Sequence, residues 1–273
     1  MDVSFVRDDR WFPRRCLRAF FEQQGLDRAM VVASQSFTAL IPLMILTSAV
    51  LPRGGDSSMA DAVIRKFGLS GATAESVRTV FEASSSGSVG VLSLLLLVLS
   101  GVSLTRRLQK MYLDAWHVPP LPGVRGSLYA ALGLGFLLTE IALLSFVRTV
   151  LRALPFEGVL SVAVSLAASI ALWTTIPWLL LHRRLAWRRL LLAGILTGVL
   201  TSLWGLATTV YMPRLMASYS ERYGLFGITV ALVGWLLCIS FIVVVSTIVV
   251  AELDRAPERW AVRLRSVTMS RGG

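Results

Sequence analysis

Six blocks of predominantly apolar residues interrupt the chain, at about 29–51, 89–105, 127–151, 158–181, 190–212 and 227–251. Each is close to the length of about 20 residues that a helix needs to cross the hydrocarbon of a bilayer. Backbone N–H and C=O groups in hydrocarbon find no water to bond. Segments of this kind therefore cross as helices, whose hydrogen bonds close within the segment. None alternates apolar and polar residues as the strands of an outer-membrane barrel do. Composition agrees: 55% of residues are hydrophobic and 16% charged, where a soluble domain carries about 25% charge. The predicted fold class is all-α: a polytopic integral membrane protein of six transmembrane helices, with interfacial and extracytoplasmic amphipathic helices added.

Charge sets the expected orientation, because loops rich in Lys and Arg stay inside the cell. Residues 1–28 hold six arginines. The loops around Arg106 and Arg183 hold four basic residues each, and the tail from Arg255 holds five, nineteen on one side in all. The other side holds eight, among them Arg53, Arg78, Arg152 and Arg214. Both termini are expected in the cytoplasm. The same asymmetry accounts for much of the formal net charge of +11 without a nucleic-acid partner. The expected organisation is a basic interfacial segment over 1–28, a six-helix domain over 29–252 and a basic cytoplasmic tail over 253–273. The six-helix domain includes an extracytoplasmic helical segment over 52–88.

Outside the spans, residues 11–24 mix aromatics with arginines and read as a helix lying on the inner leaflet. Residues 56–83 carry Met59, Val63, Phe67, Val77, Val80 and Phe81 at spacings of three and four, which predicts short amphipathic helices on the outer face. The basic tail after Leu253 is expected to fray or to rest on anionic lipid. The lipid bilayer is thus the expected partner, alongside an unidentified substrate, and the sequence leaves homo-oligomerisation open.

Ionisable and polar residues inside spans are the functional candidates, since hydrocarbon penalises them. Glu140 lies near the middle of the third span and Arg148 eight residues on, about 12 Å along a helix axis and too far to pair with it. Glu252 and Asp254 close the sixth span, where they oppose the helix dipole and call for a basic partner from Arg106, Arg107 or Arg255. Gln35 stands in the polar start of the first span. Pro42 and Pro177 each remove a backbone bond and are expected to kink their helices. Gly194 and Gly198 form a small-residue face, as do Gly227, Ala231 and Gly234, and ordinary packing within one chain is the expected use. Cys16 and Cys238 make no disulfide framework, and His117 and His182 make no metal site. No cofactor is expected. No phosphate-binding, zinc-protease or serine-hydrolase motif is present, so the chain is not expected to be an enzyme.

Four stretches carry a family resemblance. They are Ala33-Ser34-Gln35-Ser36-Phe37-Thr38-Ala39-Leu40-Ile41-Pro42-Leu43; Leu104 to Lys110 continued by Ala115-Trp116-His117-Val118; Tyr223-Gly224-Leu225-Phe226-Gly227; and Ala251-Glu252-Leu253. In their order and spacing they resemble the YihY/virulence factor BrkB family over about residues 20–255. Trp116, Tyr223, Gly224 and Gly227 fall in the matching motifs. The resemblance implies a six-helix inner-membrane protein tied to envelope integrity, whose relatives have carried labels of serum resistance, permease and ribonuclease. The ribonuclease label finds no acidic metal cluster in this sequence.

Two readings follow. One is a permease-like or lipid-handling protein supporting the cell envelope, with a polar path from Gln35, Glu140, Arg148 and Glu252. The other is a non-transporting structural or interaction protein of the envelope. A membrane-bound hydrolase is a distant third. On the first reading, Glu140→Gln or Glu140→Ala is expected to weaken complementation of an envelope-defect strain while the protein still folds. Unchanged complementation would remove Glu140 from the path.

Overall fold

The structure is a computed structural model describing residues 11–50, 87–120 and 157–258, with positions 61, 64, 71, 74, 75, 78, 128, 129, 131–133, 135, 136 and 139 between them. Every regular element among the described residues is helical: α1 (Phe12–Glu22), α2 (Gly25–Val50), α3 (Gly87–Ala115), α4 (Glu157–Leu180) and α5 (Trp187–Arg255). Three stretches among them are long and apolar enough to cross a membrane: Val162–Leu180 in α4, and Trp187–Tyr219 and Phe226–Arg255 in α5. These fall on the fourth, fifth and sixth predicted blocks. α2 and α3 cover the first two blocks. Of the third block, only scattered helical positions between Leu128 and Thr139 are described.

The predicted interfacial helix is α1. Trp11 precedes it in extended conformation, and a proline stands in its first turn, where a missing N–H costs nothing. It ends in a tight elbow. Gln24 adopts a left-handed conformation (φ 53°), and its N–H donates to the Phe21 carbonyl. α2 then begins at Gly25, where a Cβ would run into the ring of Phe20. The amphipathic residues predicted on the outer face (Met59, Val63, Phe67, Val77, Val80 and Phe81) lie outside the described residues. Arg78 pairs with Asp61 at 3.3 Å and with Glu75 at 3.6 Å.

The chain divides into two compact units. Unit 1 comprises residues 1–30, 105–202 and 240–273, and unit 2 comprises residues 31–104 and 203–239. In unit 1 the Gly194 and Gly198 face packs within the chain, as expected. A Cβ at 194 would strike Thr174 Oγ1 and come within 2.8 Å of the Ile170 carbonyl, and one at 198 would lie 2.9 Å from the Ile170 nitrogen. The two glycines therefore bring α5 into backbone contact with α4.

Unit 2 contains a helical hairpin. A straight helix would hold Thr208 and Trp235 about 40 Å apart, at 1.5 Å per residue. Instead Trp235 Nε1 donates to Thr208 Oγ1 at 3.0 Å, and Met212 and Met216 share a buried cluster with Ile228 and Ala231. The reversal is made at Gly224, whose φ of 58° and ψ of −139° break α5 into two limbs. That combination is essentially confined to glycine. Gly227 follows, tight against the backbone of Tyr219, where a Cβ would lie 2.8 Å from the carbonyl carbon. Tyr223 is exposed.

Gly224 and Gly205 offer a matched test, since a Cβ at either meets open space. Gly205 is helical, so Gly205→Ala should be neutral or stabilising by up to about 1 kcal/mol. Gly224→Ala should destabilise by about 1–3 kcal/mol from backbone strain alone. Denaturant or thermal unfolding of the purified protein in detergent measures both.

Candidate functional site

The candidate site lies in unit 1, where four helices end close together. The last carbonyls of a helix have no partner within it, and α3 and α4 solve this in the same way. After α3, Val118 N–H donates to the Leu113 carbonyl at 2.8 Å and His117 N–H to Asp114 at 3.2 Å. After α4, Arg183 N–H donates to Trp178 and His182 N–H to Leu179, both at 3.0 Å. Each is the paired closing pattern that normally uses glycine in the left-handed position. Here the position is held by histidine, with φ of 53° at His117 and 59° at His182. Such a residue costs about 1–3 kcal/mol and persists where its surroundings over-determine it.

Those surroundings are polar links between helix ends. At His182, the Gln109 side chain of α3 places Nε2 3.0 Å from His182 Nε2 and 3.4 Å from the Leu180 carbonyl. An amide nitrogen only donates. His182 Nε2 is therefore the acceptor, the ring is neutral and its proton sits on Nδ1. Nδ1 is buried without a hydrogen-bond partner among the described residues. The Tyr129 ring meets the imidazole edge-on at 4.7 Å. Burial, and then the charge of Arg184, holds the His182 pKa below the ordinary histidine value. At His117, Arg255 reaches from the end of α5 to His117 Nδ1 and to the carbonyl of Ala115. Arg28 donates to Asp114 at 2.8 Å, Arg15 to Glu258 at 2.7 Å, and Arg184 to the Pro119 carbonyl at 3.0 Å.

Glu252, a sequence candidate, is half-buried and pairs with Arg255 at 2.9 Å. Arg255 is one of the three partners expected for it. Trp116 is buried, its ring 6.2 Å from that of Tyr112, and its Nε1 has no partner among the described residues. Pro177 is buried in the last turn of α4, and its carbonyl accepts from Leu181 N–H at 2.8 Å. Gln35 is half-buried on α2 in unit 2, a different unit from Glu252. α2 runs on through position 42; the Pro42 side chain, Glu140 and Arg148 lie outside the described residues. Sequence reading missed Gln109 and the capping role of both histidines. A Gln–His pair 73 positions apart leaves no local pattern, and a left-handed cap is signalled in sequence by glycine.

The buried polar side chains among the described residues (Thr105, Gln109, Thr174, His182, Thr197, Ser240, Ser246 and Thr247) all belong to unit 1. The threonines at 174 and 247 return their hydroxyl protons to carbonyls one turn back. Ser246 Oγ, His182 Nδ1 and Trp116 Nε1 have no partner among the described residues. What this arrangement offers chemically is hydrogen bonding by neutral donors.

An imidazole held neutral in the fold costs stability once the unfolded chain takes up protons, as pH falls below about 6.5. The thermal midpoint should therefore drop on acidification from about pH 7.5 to about pH 5.5. Gln109→Glu, which sets a carboxylate against Nε2, should flatten that drop. A His182→Gln variant with an undiminished slope would assign the drop to other groups.

A family model described as virulence factor BrkB matches residues 16–264. No curated protein and no solved structure matches the chain significantly. The match takes in all five described helices from Cys16 onward, both histidine caps and the Gly224 break. The chain belongs to the virulence factor BrkB family, and its apolar helices make it an integral membrane protein.

Proposed function

We propose that the protein is a permease-like or lipid-handling component of the bacterial inner membrane that supports the integrity of the cell envelope. On this reading six helices cross the bilayer and both termini are cytoplasmic, as the distribution of arginine supports. The reading is carried by one observation: the buried polar side chains gather in one unit, and there Ser246 Oγ, His182 Nδ1 and the Trp116 indole lack a protein partner among the described residues, as the Trp204 indole does in unit 2. Buried donors are nearly always satisfied, so groups of this kind mark where water or a polar ligand enters. Inside a membrane protein such groups are costly and point to function. Neutral donors suit an uncharged or anionic polar group passing along them, and no reaction on that group is required.

The test is a deletion strain challenged with detergent and with an antibiotic that an intact envelope excludes. The wild-type gene should restore resistance. Ser246→Val and Gln109→Leu, at wild-type protein levels in the membrane, should restore it only partly. A deletion strain with an intact barrier would overturn the envelope role. Full rescue by both variants would favour the non-transporting structural reading.

A further inference from the structure

α1 lies against the second limb of α5 with a groove of about 460 Å³ between them, lined by Phe12, Leu17 and Phe20 on one side and Phe241, Val245 and Val249 on the other. The rings of Phe20 and Phe241 meet at 5.7 Å across it, and both helices belong to unit 1 here. The groove carries no charge. Its one titratable lining group is the Cys16 thiol, pushed up to about 11 by burial and by the charge of Glu252. At 100° per residue, the residues of α1 divide cleanly. Ala19, Phe12, Cys16, Phe20, Pro13, Leu17 and Phe21 follow one another round one arc, and Arg14, Arg18, Glu22 and Arg15 occupy the other. Arg14 falls next to Phe21 at the boundary.

The groove's floor on α5, from Phe241 to Val249, covers about 12 Å of helix axis. It stops three residues short of Glu252, inside a stretch apolar enough to cross a membrane. The cleft thus opens at the polar end of a span and runs into it. Leu17, at 58% exposure, and Phe21, at 70%, stand beside the arginines. Beyond the weakly hydrogen-bonding Cys16 thiol, a polar metabolite finds no side chain to bond there. A chain of hydrocarbon ending in a phosphate matches both the walls and the rim.

We propose that this groove seats an acyl chain of one anionic phospholipid, with its phosphate held by Arg14 and Arg18. Arg18 donates to Glu22 at 2.7 Å in an exposed pair. Exposed pairs contribute little, and a phosphate can take over that guanidinium with a stronger charge-assisted bond. Arg15 serves differently: its bond to Glu258 fixes the helix over the groove. The site requires only that the protein sit in a bilayer, so it stands or falls separately from any transport activity.

The test uses the full-length protein in phosphatidylcholine nanodiscs carrying a trace of either phosphatidylglycerol or phosphatidylcholine with a diazirine in the acyl chain. After irradiation, adducts are mapped by peptide mass spectrometry. Phosphatidylglycerol adducts on 12–21 and 241–249 should exceed those of phosphatidylcholine by about thirtyfold, the preference that two arginines near an anionic headgroup supply. In Arg14→Gln/Arg18→Gln the two lipids should label equally, and Arg14→Lys/Arg18→Lys should keep most of the preference. Val245→Trp, which fills the groove, should lose adducts of both lipids with the thermal midpoint unchanged. Equal labelling in the wild type, a preference that survives the glutamine variant, or adducts that avoid both segments would each overturn the proposal.

Discussion

A helix that fills a bilayer satisfies its backbone everywhere except at its ends, where four carbonyls are left bare. In this chain that deficit organises unit 1. α3 and α4 each close on a histidine with a left-handed backbone, followed after α4 by a second left-handed residue, Arg183, and each histidine is tied to another helix. The cap therefore does two jobs. It satisfies carbonyls within one helix, and it presents a side chain that the next helix must meet. Strain of about 1–3 kcal/mol at each cap is offset by bonds that form only when α3, α4 and the end of α5 are assembled. Arg28 with Asp114 and Arg15 with Glu258 extend the same logic to α1 and α2.

Unit 2 is built on a different basis. Its described core is apolar, with Met212, Met216, Ile228 and Ala231 packed across a reversal. A hydrogen bond from Trp235 to Thr208 ties the limbs. The reversal depends on a backbone conformation at Gly224 that other residues enter only with strain. Polar groups specify the assembly of helix ends in unit 1, whereas close packing and one glycine specify it in unit 2.

Much of this was legible in the sequence. Apolar block length located α4 and both limbs of α5, because a helix confined to hydrocarbon has to announce itself in composition. The limits shifted where composition and hydrogen bonding part company. The fifth apolar block ends at Met212 by composition, but the helical limb carries on through Pro213 and Arg214 to Tyr219. The glycine face at 194 and 198 was legible too, as was Arg255 as a partner for Glu252, since a charge three residues away needs no tertiary knowledge; the second face was not, because Gly234 is exposed with nothing within 4 Å of where a Cβ would stand. The Gln109–His182 pair was not legible. It depends on two helix ends meeting, and each end looked like an ordinary basic loop. Gln35 and Glu252, joined in one expected path, belong to different units.

The two imidazoles that close α3 and α4 are also the full complement of histidine in the chain. Their ring environments differ, one facing an amide and a tyrosine edge, the other a guanidinium. A histidine-selective isotope label would thus yield two resonances, each assigned by one substitution, and each a local reporter for one junction between helix ends.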